Sequence, residues 1–291
     1  MSEKKIFLLG VGCQKGGTSW LHKYLHSHEN CDFGFRKEYH VFDAIHLKGE
    51  KRFRKKAVRN FAHFAERVVS GKVKFRGKAK PSPQVQLVEF YRSTEAYFDY
   101  FQTLASKSDD IKVVGDITPS YAALPKEVFE DIKINLEARG FDVRVVFLMR
   151  DPVERIYSAA RMSMRDARQS GKPVTRTENE TFLDLYAERK SDRRSRYDQT
   201  IKNLDEVFGP QNILYAFYED LFEDEQVKSI VNFLDIPFVE PNFEERVNSS
   251  AQTEELSEEN AKIAREHFAE TYDFVEARFP EKDLKKLWQY L

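Results

Sequence analysis

The 291-residue chain reads as an α/β protein, a mainly parallel sheet flanked by helices. Three observations predict that class. Short β-branched or apolar runs alternate with helix-length amphipathic segments along the chain. The run FDVRVVFLM, residues 141–149, is almost continuously apolar, as in a parallel strand buried on both faces. And KIFLLGVG, residues 5–12, leads straight into the glycine loop GCQKGGTS, residues 12–19, and then a helical pattern, a strand–loop–helix unit of P-loop type.

In chain order, KIFLLGVG is the first strand. TSWLHKYLHSH is a helix, with Trp20, Leu21, Tyr24 and Leu25 on one face and Thr18 as its N-cap. Residues 35–80 read as irregular and basic, with an insertion over about 45–80 and a helix only near Ala57 to Val69. PSPQVQLVEFYRSTEAYFDYFQTL opens with turn residues and continues as one helix. KVVGDITPSY is a second strand ending in a Pro turn. PKEVFEDIKINLEARG is a helix with Pro125 near its start and Gly140 past its end. After the strand at 141–149, PVERIYSAARMSMR starts a helix at Pro152. Residues 166–180 are polar and read as a mobile loop. TFLDLYAERK and SRYDQTIKNLDEVFG are helices, NILYAFYEDL a strand, and QVKSIVNFLDI a helix closed by Pro237. EELSEENAKIAREHFAETYDFVEARF is one final helical segment. No repeat or low-complexity segment interrupts the pattern, so residues 1–291 read as a single domain.

Composition narrows the function. With 41% hydrophobic residues, 24 Phe and 13 Tyr, the chain can bury a large core. No apolar run approaches the roughly 20 residues of a membrane helix. The N-terminal apolar stretch enters the glycine loop without a cleavage site, which predicts a cytoplasmic protein. Cys13 and Cys31 offer neither a disulfide framework nor metal spacing, and Cys13 reads as a small buried residue beside the loop. A net charge of −1 argues against a general nucleic-acid binder. The charge is uneven, however. Lys48 to Arg59 holds seven bases against one Glu, whereas Glu219 to Glu259 holds thirteen acids and two bases. Several basic runs favour an anionic ligand or substrate.

The loop itself predicts an anion site. Gly16 and Gly17 let the backbone approach closely, Thr18 and Ser19 add hydroxyl donors, and the helix start adds partial positive charge. A Walker A loop would carry lysine just before the Ser/Thr; here Thr18 stands there and the lysine is Lys15. That placement disfavours a metal-bound triphosphate. A second element is RDP: Arg150 ends the buried strand, on the edge where doubly wound sheets bind ligands, and its planar fork suits a phosphate. A surface pair with Asp151 or Glu154 is the alternative.

At these residues the chain resembles a known family. QKGGTSW is similar to the 5′-phosphosulfate loop of sulfotransferases that use 3′-phosphoadenosine 5′-phosphosulfate (PAPS), roughly [PR]-K-[SG]-G-T-[TS]-x, with its lysine at Lys15. FLMRDPVERIYSAARM resembles the second signature, Arg then Ser eight residues later, which places the 3′-phosphate at Arg150 and Ser158. SRYDQTIKNLDEVFGPQNILYAFYEDL and FLDIP resemble the later helix–strand–helix segment. The resemblance covers most of the chain and is weak over about 45–110 and 160–195. It implies PAPS as co-substrate, no metal, and a donor cradle of Lys15, Gly16, Gly17, Thr18 and Ser19. Trp20 comes just after the loop, where the cytosolic branch stacks a Trp on adenine; a core position remains equally open.

FRKEYHVFD, residues 35–43, resembles the K-E-x-H-x-F segment of the branch that sulfates glycosaminoglycans, whose Glu is the catalytic base. That implies Glu38 as base, with His40 and Asp116 as further candidates and Lys37 as a contact to donor or acceptor. GDITPSY resembles the same branch's E-K-[ST]-P-x-Y, with Ile117 in place of the lysine. The family's C-terminal basic loop is replaced by RVNSSAQTEE, where Arg246, Ser249 and Ser250 are the candidate substitutes. The implied activity is sulfuryl transfer from PAPS to a hydroxyl of a small molecule or oligosaccharide. A small-molecule kinase on the same scaffold and a non-catalytic nucleotide-binding module are the alternatives.

Overall fold

A computed structural model describes residues 4–73, 82–244 and 252–291. Among them, five strands form one sheet: β1 Ile6–Gly12, β2 Cys31–Asp32, β3 Val113–Ile117, β4 Asp142–Met149 and β5 Ile213–Phe217. Their order is β2-β3-β1-β4-β5 and every pairing is parallel. The α/β expectation therefore holds. The helices are α1 Thr18–His26, α2 Val41–His46, α3 Lys51–Val69, α4 Pro83–Arg92, α5 Thr94–Ala105, α6 Lys126–Glu137 and α7 Pro152–Gln169. They continue with α8 Glu178–Tyr186, α9 Arg189–Arg193, α10 Tyr197–Val207, α11 Asp224–Phe233, α12 Glu258–His267, α13 Ala269–Arg278 and α14 Leu284–Leu287.

The sheet is apolar on both faces because both carry helices. Along β1, Phe7, Leu9 and Val11 enter one core layer, and Ile6 and Leu8 the other. β4 alternates likewise, with Val143, Val145, Phe147 and Met149 on one side and Val146 and Leu148 opposite. This explains why these strands read as continuous apolar runs. No described helix is long and apolar enough to cross a membrane.

Several expectations need correction. The basic segment after residue 45 is mostly ordered helix: α3 spans Lys51–Val69 although Ala57 is its single buried residue. Half-buried Phe53, Phe61, Phe64 and Val68 share the Ala57 face at helical spacing, and the high helix propensity of Lys, Arg and Ala supports the rest. The expected loop at 166–180 is shorter, because α7 runs to Gln169 and α8 starts at Glu178, where Thr177 and Glu180 form a capping box. Thr18 is the first residue of α1, not its cap; Gly17 caps the helix in the left-handed conformation, φ 83°. The segment read as one helix over 83–105 breaks at Ser93, and the final one breaks at Phe268. β2 was not expected at all; at two residues it is too short to leave a periodic signal. The basic residues Lys74, Arg76, Lys78 and Lys80, and the candidates Arg246, Ser249 and Ser250, lie outside the described residues.

Parallel strands share one C-terminal edge, and the chain leaving each strand there carries the candidate functional groups. β1 ends in the glycine loop, β2 in the segment bearing Lys37 and Glu38, β4 in Arg150 and β5 in Tyr218 and Glu219. The start of α7 is firmly built. Asp151 caps it, its Oδ1 accepting from Val153 N at 2.9 Å, Glu154 N at 3.3 Å and the Tyr272 hydroxyl at 2.6 Å. Its Oδ2 accepts from the backbone N–H of Tyr290 at 2.9 Å, next to the buried Trp288.

Candidate functional site

The glycine loop admits no side chain at its two central glycines. A Cβ on Gly16 would sit 2.6 Å from the Cys13 sulfur, and one on Gly17 would overlap Leu221 at a φ that disfavours any L residue. Cys13 is fully buried beneath the loop, as expected, and burial raises its thiol pKa. Lys15 also adopts a positive φ, 71°, on the rim of the loop. Burial, reinforced by the positive charges of Arg165, Arg150 and Arg161, lowers its ammonium to about 8. Four cations thus converge beside the loop.

Arg150 is held from several sides. Its Nη1 donates to the Lys15 carbonyl at 3.2 Å, its Nη2 to Glu154 at 3.0 Å, and its guanidinium lies 4.4 Å from the Tyr218 ring centroid. Tyr197 donates to the Arg150 carbonyl at 2.8 Å. The pairing with Glu154 raised from sequence is thus present, but it uses only part of the fork. Arg150 Nε is buried with no partner among the described residues, and so is Arg161 Nε. Arg161 meets Gln252 Oε1 at 3.0 Å and stacks near Tyr157. Ser158 is buried on the same helix. Arg161 and Arg165 lie three and seven residues beyond it, so helical spacing from Ser158 was the signal that sequence reasoning missed.

On the other flank, Lys37 Nζ donates to Ser19 Oγ at 2.8 Å, Thr18 Oγ1 at 3.3 Å and Glu38 Oε1 at 2.8 Å. Glu38 Oε2 lies 3.0 Å from His40 Nε2, and His40 Nδ1 lies 2.7 Å from Asp43 Oδ2. Ser120 donates to that same Asp43 oxygen at 2.5 Å. Phe53 of α3 stacks on the imidazole. Burial alone would raise the Glu38 carboxyl; the His40 hydrogen bond and the charges of Lys37 and His40 outweigh it and hold it at about 2. For His40 burial works against the charged form, but hydrogen bonds to Asp43 and Glu38 prevail and raise its pKa. The two flanking carboxylates thus favour the imidazolium form of His40. Asp43 and Ser120 were not singled out from sequence; their joining is a long-range contact.

Asp116, a candidate base from sequence, occupies a different kind of place. It is fully buried, and Thr118, Tyr121 and Tyr97 donate to it at 2.6, 2.9 and 3.1 Å. Burial pushes it up to about 6 against those bonds. It anchors the core under the loop and is sealed from a substrate. Trp20 is also buried, stacked on Tyr24 and Phe243 and edge-on to Phe222, with its indole N–H donating to Asn242 O at 3.3 Å. Of the two readings left open for it, this is the core position.

A cleft of about 600 Å³ opens beside Gln14, next to Lys15, and runs between α7, α9 and the start of α3, with Arg52, Met162, Lys190 and Arg194 in its walls. Arg194 and Lys190 converge on the buried Glu50, at 2.5 and 3.3 Å, which ties α9 to the base of α3.

Residues 7–241 match the sequence pattern described as the sulfotransferase family. The chain belongs to that family. Among solved structures, its fold is similar to a sulfotransferase from Alicyclobacillus acidocaldarius, 18% identical, covering 98% of this chain and 99% of that one with a TM-score of 0.61. The sulfotransferase domain of the Synechococcus PCC 7002 olefin synthase, 16% identical, covers 92% of this chain and 97% of that one at a TM-score of 0.44. No curated protein matches the sequence. As a member of that family, the chain is a transferase.

Proposed function

We propose that this sulfotransferase moves a sulfuryl group from PAPS to a hydroxyl, most suitably of a carbohydrate that carries its own negative charge. The observation that carries the reading is the pair of buried guanidinium N–H groups, on Arg150 and Arg161, left without partners among the described residues beside an ammonium held at about 8. Buried donors of that kind cost stability unless something accepts from them. PAPS, with its 3′-phosphate and 5′-phosphosulfate, would supply acceptors to both. Lys15, Gly16, Gly17, Thr18 and Ser19 would hold the phosphosulfate, and Arg150 and Ser158, with Arg161 beside them, the 3′-phosphate.

Glu38 is the base this arrangement favours. It stays ionised at neutral pH, whereas both ring nitrogens of His40 are engaged by Asp43 and Glu38 and Asp116 is sealed. A carboxylate so well held is a weak base. It suffices because the hydroxyl becomes strongly acidic as its oxygen bonds to sulfur. The proton passes to Glu38, the new S–O bond forms, and the old one breaks with its electron pair on the 5′-phosphate oxygen, where Lys15 donates. No step needs a metal. On the acceptor side, Arg52, Lys55, Lys56 and Arg59 lie on one face of α3 and line a second hollow, and Arg52 also borders the cleft beside the loop. That continuous basic path suits an acidic sugar chain.

The test is a transfer assay with radiolabelled PAPS against sulfated, carboxylated and neutral oligosaccharides, with and without chelator. Transfer that survives chelator supports the reading. Turnover of ATP that chelator abolishes would point to the kinase instead. Tight binding of adenosine 3′,5′-bisphosphate with no transfer to any acceptor would leave a nucleotide-binding module.

A further inference from the structure

We infer that Lys37 is a second catalytic ammonium, one that grips the non-bridging oxygens of the sulfuryl group while Lys15 serves the bridging oxygen. The inference rests on the proposed transfer from PAPS and adds a residue to it. Three contacts carry it. Lys37 Nζ reaches both hydroxyls on the first turn of α1, Ser19 Oγ at 2.8 Å and Thr18 Oγ1 at 3.3 Å, and also the Glu38 carboxylate at 2.8 Å. An anion seated on those two hydroxyls therefore lies within reach of the same ammonium. The side chain is only about one-fifth exposed, so it cannot spend its charge freely on water.

The neighbouring strand end brings no cation to this flank. β3 finishes in Asp116 and Ile117, both fully buried, and Ile117 packs so closely on Gly10 that a methyl there would overlap it. Arg150, Arg161 and Arg165 gather on the β4–α7 side. Lys37 arrives from β2 on the opposite flank, between the loop and the base. A sulfuryl group held there is bracketed by two ammonium ions. During transfer, sulfur leaves the 5′-phosphate oxygen for the acceptor oxygen. The three remaining sulfur oxygens keep their charge throughout, and a lysine bridging them to Glu38 holds sulfur in line with the base. The residue next to Lys37, Glu38, takes the acceptor proton, so one contact aligns both partners of the reaction.

The test separates the sulfuryl group from the nucleotide. Calorimetry measures binding of PAPS and of adenosine 3′,5′-bisphosphate, which lacks the sulfuryl group, to the parent chain and to Lys37→Met and Lys37→Arg. Thermal unfolding checks that each variant is folded. We expect Lys37→Met to keep its bisphosphate affinity within about threefold, to lose about tenfold in PAPS affinity, and to lose on the order of 100-fold in kcat. Lys37→Arg should recover most of the PAPS affinity. An unchanged ratio of PAPS to bisphosphate affinity in Lys37→Met overturns the inference, as does an equal loss for both nucleotides, which would make Lys37 a nucleotide contact. If the parent chain binds neither nucleotide, the PAPS reading falls and Lys37 with it. The binding arm needs no acceptor, so it decides the matter even where no transfer is seen.

Discussion

Lys15 gives the sharpest test of the proposed chemistry, through pH. Its ammonium is lowered to about 8, chiefly by burial and then by Arg165, Arg150 and Arg161. Transfer requires the protonated form, so activity is retained below about pH 8 and lost as pH rises through it. With a pKa of about 8, about nine-tenths of the groups are charged at pH 7, about one-tenth at pH 9 and about one-hundredth at pH 10. The assay is kcat/KM for PAPS between pH 5 and 10, because that ratio reports the free enzyme. We expect an alkaline fall of about 100-fold between pH 7 and 10. Arg165→Gln removes the neighbour that lowers Lys15 most among the charges, so the fall should move to higher pH. The acid side should be flat from pH 7 to 5, since Glu38 is held at about 2. A rate that climbs with pH above 6.5 would transfer the base to His40, whose pKa is raised. A profile flat to pH 10, or an unmoved limb in Arg165→Gln, would refute the role given to Lys15. Stability runs the other way. Because the folded pKa is below the unfolded one, Lys15 penalises the fold at pH below 8, and the penalty fades as pH rises from there toward its unfolded value.

The geometry also sets three further outcomes. Arg150→Ala should weaken adenosine 3′,5′-bisphosphate binding by about 2–4 kcal/mol, read by calorimetry, because a buried charge pair loses one member; an unchanged Kd would move the 3′-phosphate elsewhere. Gly17→Ala should lower the unfolding free energy by about 1–2 kcal/mol and reduce donor affinity, since its φ of 83° and the Leu221 side chain both resist a methyl; a variant with parental stability and binding would show the loop to be less constrained. Asp116, pushed up to about 6 from an unfolded value near 4, stabilises the fold most at low pH and loses that contribution as pH rises through its folded value. Asp116→Asn should therefore cost least, relative to the parent, near pH 7, and a cost growing from pH 4 to pH 7 in urea unfolding would contradict the assignment.

Local features were legible in the sequence and non-local ones were not. β1, the glycine loop, β4 and the RDP turn each announce themselves within about ten residues, because burial on both faces and the demand for glycine are local signals. The same holds for Lys15, Arg150 and Ser158, which ride on those elements. α3 was half missed because its first turn, Lys51 to Lys56, is dense in charge, and only Phe53 there begins the apolar stripe that Ala57, Phe61, Phe64 and Val68 continue. Asp116 read as a candidate base because an acid at a strand end is ambiguous; only Tyr97 and Tyr121, arriving from elsewhere in the chain, reveal it as an anchor. The His40–Asp43–Ser120 chain and the union of Glu50 with Arg194 join residues 77 and 144 positions apart, distances that no periodicity encodes.

The cap at Asp151 has a practical side. Its carboxylate is shared between the first turn of α7 and the backbone at Tyr290, with Trp288 wedged into the core nearby. The chain's last residues thus brace the turn that aims Arg150. Deleting residues 288–291 would strip a far-off tail by sequence, yet it would empty a buried aromatic site and free the Asp151 cap together, so stability and nucleotide grip should fall at once.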